Sequence, residues 1–409
     1  MLKQMGGAGS SRGRHSTSWR LRPTESSDPR ANMPRHPSSA PSANAVAGSV
    51  FSQLAHRIAS YEGERYPLHV GDTWMAPPVD PTQLDLPDTV HRYALPKGTP
   101  ELVDALARDI GGRHDLEVDP ADLFVTAGAT EGLAVVAGAM CSPGDEVLVL
   151  APHWPLIHGI LTWNRATPVR VDILNTEDAH IADALREAVT DRTVAIYVNT
   201  PSNPTGRVLP RSVLTAIAQL AREHDLYLLA DEVYEHHQFV GEHVAMRTVA
   251  PERTVSVHSL SKALGLAGYR VGAVVVPPEL RDAVAKVRTH ASYNTATLSQ
   301  EVALAALRGP GAEWVKTSRI LYEEAGRKAA ARLGVPRVDG GTFLFVDVAD
   351  SLDDRGLMGF LSDCADRGVF ISPGPSFGDY PTHVRVCFTC ASPALTERGV
   401  SILAERMGR

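Results

Sequence analysis

What is scarce in this chain removes several protein classes. Four cysteines in 409 residues, Cys141, Cys364, Cys387 and Cys390, are too few to staple a secreted fold, which points to a reducing compartment and to the cytoplasm. Cys387 and Cys390 have Cys-x-x-Cys spacing, but no second pair completes a metal site, so both are expected in or beside a strand and no metal is expected. No apolar run approaches the roughly 20 residues that a membrane helix needs, so a membrane partner is not expected. Strong charge of one sign is missing too, and a net of −7 argues against a nucleic-acid partner.

That charge is unevenly spread. Residues 1–45 hold Lys3, Arg12, Arg14, Arg20, Arg22, Arg30 and Arg35 against Glu25 and Asp28, a net of +5 that leaves −12 for the remainder. Rich in Ser, Gly, Pro and Arg and without apolar periodicity, this stretch cannot bury enough surface to offset its ordering entropy, and a disordered basic tail is expected. Two readings stay open: an extension without function ahead of a start at Met33, or an organelle transit peptide that lacks the usual amphipathic pattern.

The rest is long enough for two domains. Short apolar runs at 124–126, 146–150, 169–173, 193–198, 226–230, 254–257 and 272–276 alternate with helical patterns such as Leu214, Ile217, Ala218 and Ala221. This alternation predicts an α/β fold with a mostly parallel sheet. From Leu280 onward the pattern is long and helical, then ends in runs at 343–348, 369–372 and 384–388. With residues 46–78 these predict a smaller α+β domain built from both chain ends. The expected division is a tail over 1–45, a small domain over 46–85 and 300–409, and a large domain over 86–299.

Lys262 lies just past the alternating run Thr254-Val255-Ser256-Val257-His258-Ser259-Leu260-Ser261 and is followed by Gly265, Gly268, Arg270 and Gly272. A lysine at the end of a buried strand can form a Schiff base, while flanking hydroxyls and a downstream guanidinium hold a phosphate. That is the chemistry of a pyridoxal 5′-phosphate (PLP) site. The segment Ser-Leu-Ser-Lys-Ala-Leu-Gly-Leu-Ala-Gly-Tyr-Arg-Val-Gly resembles, position for position, the lysine motif of the class I/II aminotransferases of PLP fold type I. The resemblance runs from about Gly71 to Ala391.

In open parallel sheets ligands sit at the carboxyl ends of strands, and the polar residues fall there. After the run 124–126 comes Ala127-Gly128-Ala129-Thr130-Glu131, opening a helix through Met140, whose N-terminus favours negative charge. The resemblance makes Ala129 and Thr130, with Ser259, Ser261 and Arg270, the cofactor's phosphate cup. Asn203-Pro204-Thr205-Gly206 is an ordinary turn by composition; it resembles the family turn whose asparagine amide meets the cofactor's phenolic oxygen beside the substrate. Asp231 could merely cap a helix, but the resemblance places it beside the pyridine nitrogen and places Tyr234 at the phenolic oxygen. His236 and His237 match nothing and read as structural or surface residues.

Trp154, in Pro152-His153-Trp154, is either a core residue or the ring that stacks on the pyridine face. Tyr93, in Tyr-Ala-Leu-Pro-Lys-Gly, resembles a tyrosine that reaches the phosphate from a neighbouring subunit, which implies a homodimer with shared sites. Arg385, in His-Val-Arg-Val-Cys-Phe, resembles the arginine that grips the substrate's α-carboxylate. Gly71-Asp72-Thr73 stands where the family commonly has Gly-Glu-Pro, with Gly71 near the same carboxylate.

The resemblance implies a PLP-dependent aminotransferase: Lys262 carries the cofactor as an aldimine, then acts as base and acid in a ping-pong exchange between an amino acid and a 2-oxo acid. A lyase, decarboxylase, cyclase or synthase on the same scaffold would use the same residues. A regulator's effector domain would need a fused DNA-binding module, and residues 1–45 carry no helix-turn-helix pattern. An acidic substrate would need a second cation; Lys97, Arg288 and His290 are candidates, and Trp74 with Tyr293-Asn294 could line a side-chain pocket.

Overall fold

The computed structural model describes residues 38–48 and 55–409, so most of the expected tail lies outside the described residues. Seven strands form the first sheet: β1 (Leu123–Thr126), β2 (Glu146–Ala151), β3 (Thr167–Asp172), β4 (Thr193–Asn199), β5 (Tyr227–Asp231), β6 (Thr254–Ser259) and β7 (Gly272–Val275). Their order is β1-β7-β6-β5-β4-β2-β3. Strands β2 to β6 pair parallel, whereas β7 runs against both β6 and β1. Between β6 and β7 the chain makes only two short helical turns, Leu260–Ala263 and Ala267–Tyr269, instead of a crossover helix, so it returns antiparallel.

The helices are α1 (Pro41–Asn44), α2 (Ala55–Ser60), α3 (Pro100–His114), α4 (Gly128–Met140), α5 (Pro155–Trp163), α6 (Ile181–Ala188) and α7 (Arg211–Glu223). They continue with α8 (Leu260–Ala263), α9 (Arg281–Ala291), α10 (Thr297–Arg308), α11 (Gly311–Leu333), α12 (Gly356–Asp366) and α13 (Pro393–Arg406). The turn α1 falls inside the stretch expected as tail. Covered on both faces, β2 and β6 are buried along their whole length; β2 accordingly reads as a continuous apolar run, whereas β6 alternates valines with small or polar residues that are buried as well. Successive side chains take opposite faces: Val147 and Val149 pack with Leu133 and Ile157, while Leu148 and Leu150 pack with Leu214 and Ile217 of α7. The expected helical stripe of α7 is buried as its spacing required.

A second sheet, β8 (Phe343–Asp347), β9 (Ser372–Pro373) and β10 (His383–Cys387), is antiparallel in the order β8-β10-β9. Leu344, Val346, Val384 and Val386 pack with Tyr322 and Leu333 of α11, Phe360 of α12 and Leu403 of α13. Tyr66 and Leu68 join this core from the other end of the chain. The expected strand at 369–372 is shorter than its apolar run. Phe370 N donates to Tyr66 O and Tyr66 N donates to Gly368 O, so that backbone is spent on a single bridge, and Pro373 has no N–H to extend a ladder.

Arg288 is buried on α9 and forms no ion pair among the described residues. Its guanidinium donates to the carbonyls of Val125 and Tyr293 and to Thr295 Oγ1, tying the end of β1 to the loop after α9. Arg288→Met should leave those acceptors unpaired in the interior and destabilise the fold by about 2–4 kcal/mol. Thermal unfolding of the variant beside the wild type measures it; an unchanged midpoint would contradict this role.

Candidate active site

Lys262 owes its position to the short helix that follows β6. Ser259 caps α8, its hydroxyl accepting from Ser261 N at 3.2 Å, and the turn aims the Lys262 side chain back across the sheet end. Its ammonium donates to the carbonyl of Gly71, and burial lowers its pKa from the ordinary lysine value. Gly71 must be glycine there, since a Cβ would lie 2.6 Å from the Phe343 ring.

Across the sheet end, β5 delivers Asp231. Its Oδ2 accepts from Tyr197 Oη at 2.6 Å and its Oδ1 faces Val233 N at 3.4 Å. Burial pushes this carboxyl up to about 6, with no cation paired to it among the described residues. Asn199 links the neighbouring turn to the same strand: its Nδ2 donates to Asp231 O at 2.9 Å and its Oδ1 accepts from Asn203 N at 2.7 Å. Burial raises the Tyr234 hydroxyl well above the usual tyrosine range, and that hydroxyl contacts the Asn203 side chain.

A third wall is an anion cradle. Arg270, held at φ 54°, donates to Ser261 Oγ at 3.3 Å and to the carbonyls of Ala267 and Ala127 at 3.0 and 3.4 Å. It lies against the first turn of α4, where Gly128 has φ +75° and a Cβ would collide with the guanidinium. Ala129 and Thr130 follow with free first-turn amides at the positive end of the helix. At Gly272 a Cβ would sit 2.7 Å from His258 O and 2.8 Å from Ala129 N, so β7 meets the start of α4 backbone to backbone.

Arg385 enters from β10 of the second sheet. Its guanidinium donates to Asn203 Oδ1 at 2.9 Å, His69 O at 2.6 Å and Ser372 Oγ at 3.2 Å. The rings of Phe343 and Phe377 sandwich it, with centroids 4.1 and 4.8 Å away. Burial lowers its pKa to about 10, and it has no carboxylate partner among the described residues.

One cavity of about 250 Å³ collects Gly71, Ala129, Thr130, Trp154, Asn203 and Asp231, and with them Tyr234, Ser259, Ser261, Lys262, Arg270 and Arg385. Tyr93 stands apart: it is 87% exposed, its ring 5.3 Å from that of Tyr293. The structure adds Tyr197, Asn199 and Phe343. Tyr197 could have been read from strand alternation, because it shares a face of β4 with Asn199. Phe343 carried no such signal.

The candidates for a second cation are not at this cavity. Lys97 donates to Ala121 O, Arg288 is consumed by backbone carbonyls, and exposed His290 faces Lys286 O. Trp74 packs on Tyr322 in the second core, and Tyr293 and Asn294 lie outside the cavity lining. His236 is half-buried and His237 buried; His237 packs between Ser318 Oγ, at 3.2 Å, and the Tyr322 ring, and burial lowers its pKa to about 3.

The chain is similar to known proteins in sequence and in fold. The family profile described as aminotransferase class I and II matches residues 79–403. An aspartate/prephenate aminotransferase of Thermus thermophilus is 34% identical over 327 residues, covering 78% of this chain and 83% of that protein. The solved aspartate aminotransferase from Thermus thermophilus with maleate superposes with a TM-score of 0.82 at 28% identity, over 91% of this chain and all of that one. N-succinyldiaminopimelate aminotransferase from Mycobacterium tuberculosis gives a TM-score of 0.82 at 28% identity, over 90% and 100%.

Asp231 makes a stability prediction with a definite sign. Its pKa rises from an ordinary 3.8 to about 6 on folding, so its proton favours the folded cofactor-free protein. That contribution is full below pH 3.8 and is lost as pH rises through about 6. Relative to Asp231→Asn, cofactor-free wild type should lose on the order of 2–3 kcal/mol across this window. Calorimetric unfolding of both proteins from pH 4 to pH 7 measures the difference; a flat difference would remove the buried-acid assignment.

Proposed function

The chain belongs to the class I and II aminotransferases, and from that membership we propose that it moves an amino group between an L-amino acid and a 2-oxo acid, using pyridoxal 5′-phosphate held on Lys262. One observation carries this reading: Lys262 and Arg385, two buried cations from different sheets, open on one cavity, and neither forms an ion pair with a carboxylate among the described residues.

The walls fit the cofactor. The amides opening α4, the Arg270 guanidinium and the hydroxyls of Ser259 and Ser261 suit a phosphate, and the missing side chains at Gly128 and Gly272 let backbone come close. Asp231, buried without a counter-charge, suits a protonated ring nitrogen, and Trp154 offers a flat face to the ring. Bound there, the cofactor supplies a sink for the electron pair left on the substrate's Cα.

The protein's residues do the rest. Nζ of Lys262, biased toward its neutral form by burial, would take the proton from the substrate's Cα as a general base and deliver it, as a general acid, to the cofactor's C4′. The Asp231 carboxylate would keep the proton on the ring nitrogen, and Tyr197 fixes the rotamer with which it does so. Arg385 turns its fork from neutral acceptors to the substrate's α-carboxylate, which orients the Cα–H bond. Asn203 and Tyr234, which line the same cavity, would hold the cofactor's phenolic oxygen. Successive use of one site by donor and acceptor gives ping-pong kinetics.

Arg385 belongs, in this reading, to a smaller domain of residues 46–85 and 300–409, and Lys262 and Asp231 to a larger one of 86–299. Exposed Tyr93 reaches a neighbour's phosphate in a homodimer that works in the cytoplasm.

The central test is Lys262→Ala. Wild type with added cofactor should become irreversibly labelled on borohydride reduction and should transaminate; the variant should do neither, with turnover reduced by at least a factor of about 1000. Unchanged turnover would falsify the reading. Sharing of sites has its own test, in which Tyr93→Ala and Lys262→Ala, each impaired, are mixed under subunit exchange. Activity should rise, because one site per heterodimer keeps both residues; an active monomer at every dilution would refute it.

A further inference from the structure

Beyond Trp154 and Arg385 the first cavity adjoins a second, of about 620 Å³, which both residues also line. Its lining also includes His153, His158, Arg170, Phe377, Gly378 and residues 46–48. Among the described residues that line it there is no carboxylate, and the permanently charged side chains are Arg385 and Arg170. Arg170, on β3, forms no ion pair or hydrogen bond among the described residues.

The surroundings keep Arg170 free. Asp172, two residues on, is spent on Tyr380 Oη at 2.9 Å and on Leu174 N at 2.9 Å, and does not line the cavity. Gly378, at φ +137°, stands beside the guanidinium: a Cβ built there would lie 3.6 Å from Arg170 Nη1, in ordinary contact. The two imidazoles add no competing charge. His153 is buried, its Nδ1 3.0 Å from Trp154 O, and both it and His158 are held below the ordinary histidine value, chiefly by burial.

Resting on the aminotransferase reading, we propose that this second cavity is the side-chain subsite, and that Arg170 binds a terminal carboxylate on amino and 2-oxo acids with longer chains than aspartate. The α-carboxylate sits on Arg385, the chain crosses the Phe377 ring, and the far carboxylate meets Arg170 beyond Gly378. Phe377 lies against Arg385, its ring centroid 4.8 Å from that guanidinium, and the next residue, Gly378, lies beside Arg170, so these two residues run from one cation to the other and the longer diacids are the ones expected to span them. Two unpaired guanidiniums on one cavity call for a dianion.

Calorimetric binding to the cofactor-loaded protein separates this from the parent reading, because diacids without an amine need no turnover. Adipate and pimelate should bind at least tenfold tighter than hexanoate and heptanoate, whereas succinate should gain little over butyrate. Arg170→Gln should shrink the long-chain gap to about twofold, and Arg170→Lys should keep part of it. Equal binding of diacids and monoacids by wild type, which needs no variant to fold, would overturn the proposal, as would an unchanged gap in Arg170→Gln. If the gap is present but no amino acid is transaminated, the aminotransferase reading fails and the subsite stands; transamination of alanine without any gap removes the subsite alone.

Discussion

Arg385 gives up its water without gaining a carboxylate, and Lys262 does the same on the wall of the same cavity. Neutral acceptors offset part of that cost: Asn203 Oδ1, His69 O and Ser372 Oγ for the guanidinium, Gly71 O for the ammonium. Asp231 pays the same penalty with opposite sign, relieved only by Tyr197 and a long contact to Val233 N. The site is thus electrostatically incomplete by construction, and each ligand that completes it stabilises the folded chain through linkage.

The topology makes this tension possible. Parallel strands end together, so β4, β5 and β6 deliver Asn199, Asp231 and Ser259 to one edge. The reversal at β7 then carries Arg270 back beside Ser261, converting a sheet edge into a closed wall. The second sheet contributes Arg385 from a separate hydrophobic core. No single element holds enough polar partners to bury these charges, and only their convergence does.

The sheet was legible because β2, β4, β5 and β7 are buried and spell largely apolar runs between helical patterns, while β6 shows as an apolar alternation. The motif-borne residues were legible because the chemistry of each demands a particular type at a strand end. Tyr197 was overlooked although strand alternation pointed to it, and Phe343 was hidden because an aromatic in a strand looks the same whether it supports a core or an arginine. The failed second-cation candidates share a cause: nearness in sequence to a motif says nothing of where a side chain spends its donors. Arg288 is the clear case, consumed by Val125 O, Tyr293 O and Thr295. Arg170 escaped notice for the converse reason, since an arginine on an edge strand reads as surface charge until the cavity beside it is known.

Gly272 and Gly268 lie four residues apart in one motif and have opposite surroundings. At 268 a methyl group would meet nothing within 4 Å, while at 272 it would strike the carbonyl of His258, the amide of Ala129 and the carbonyl carbon of Gly128, all main-chain atoms that cannot rotate aside. The spacing between strand and helix start is therefore set by the thickness of bare backbone. In a library of variants position 268 should accept many residues and position 272 almost none, so the tolerance profile across this motif would map the cradle's dimensions without any ligand being bound.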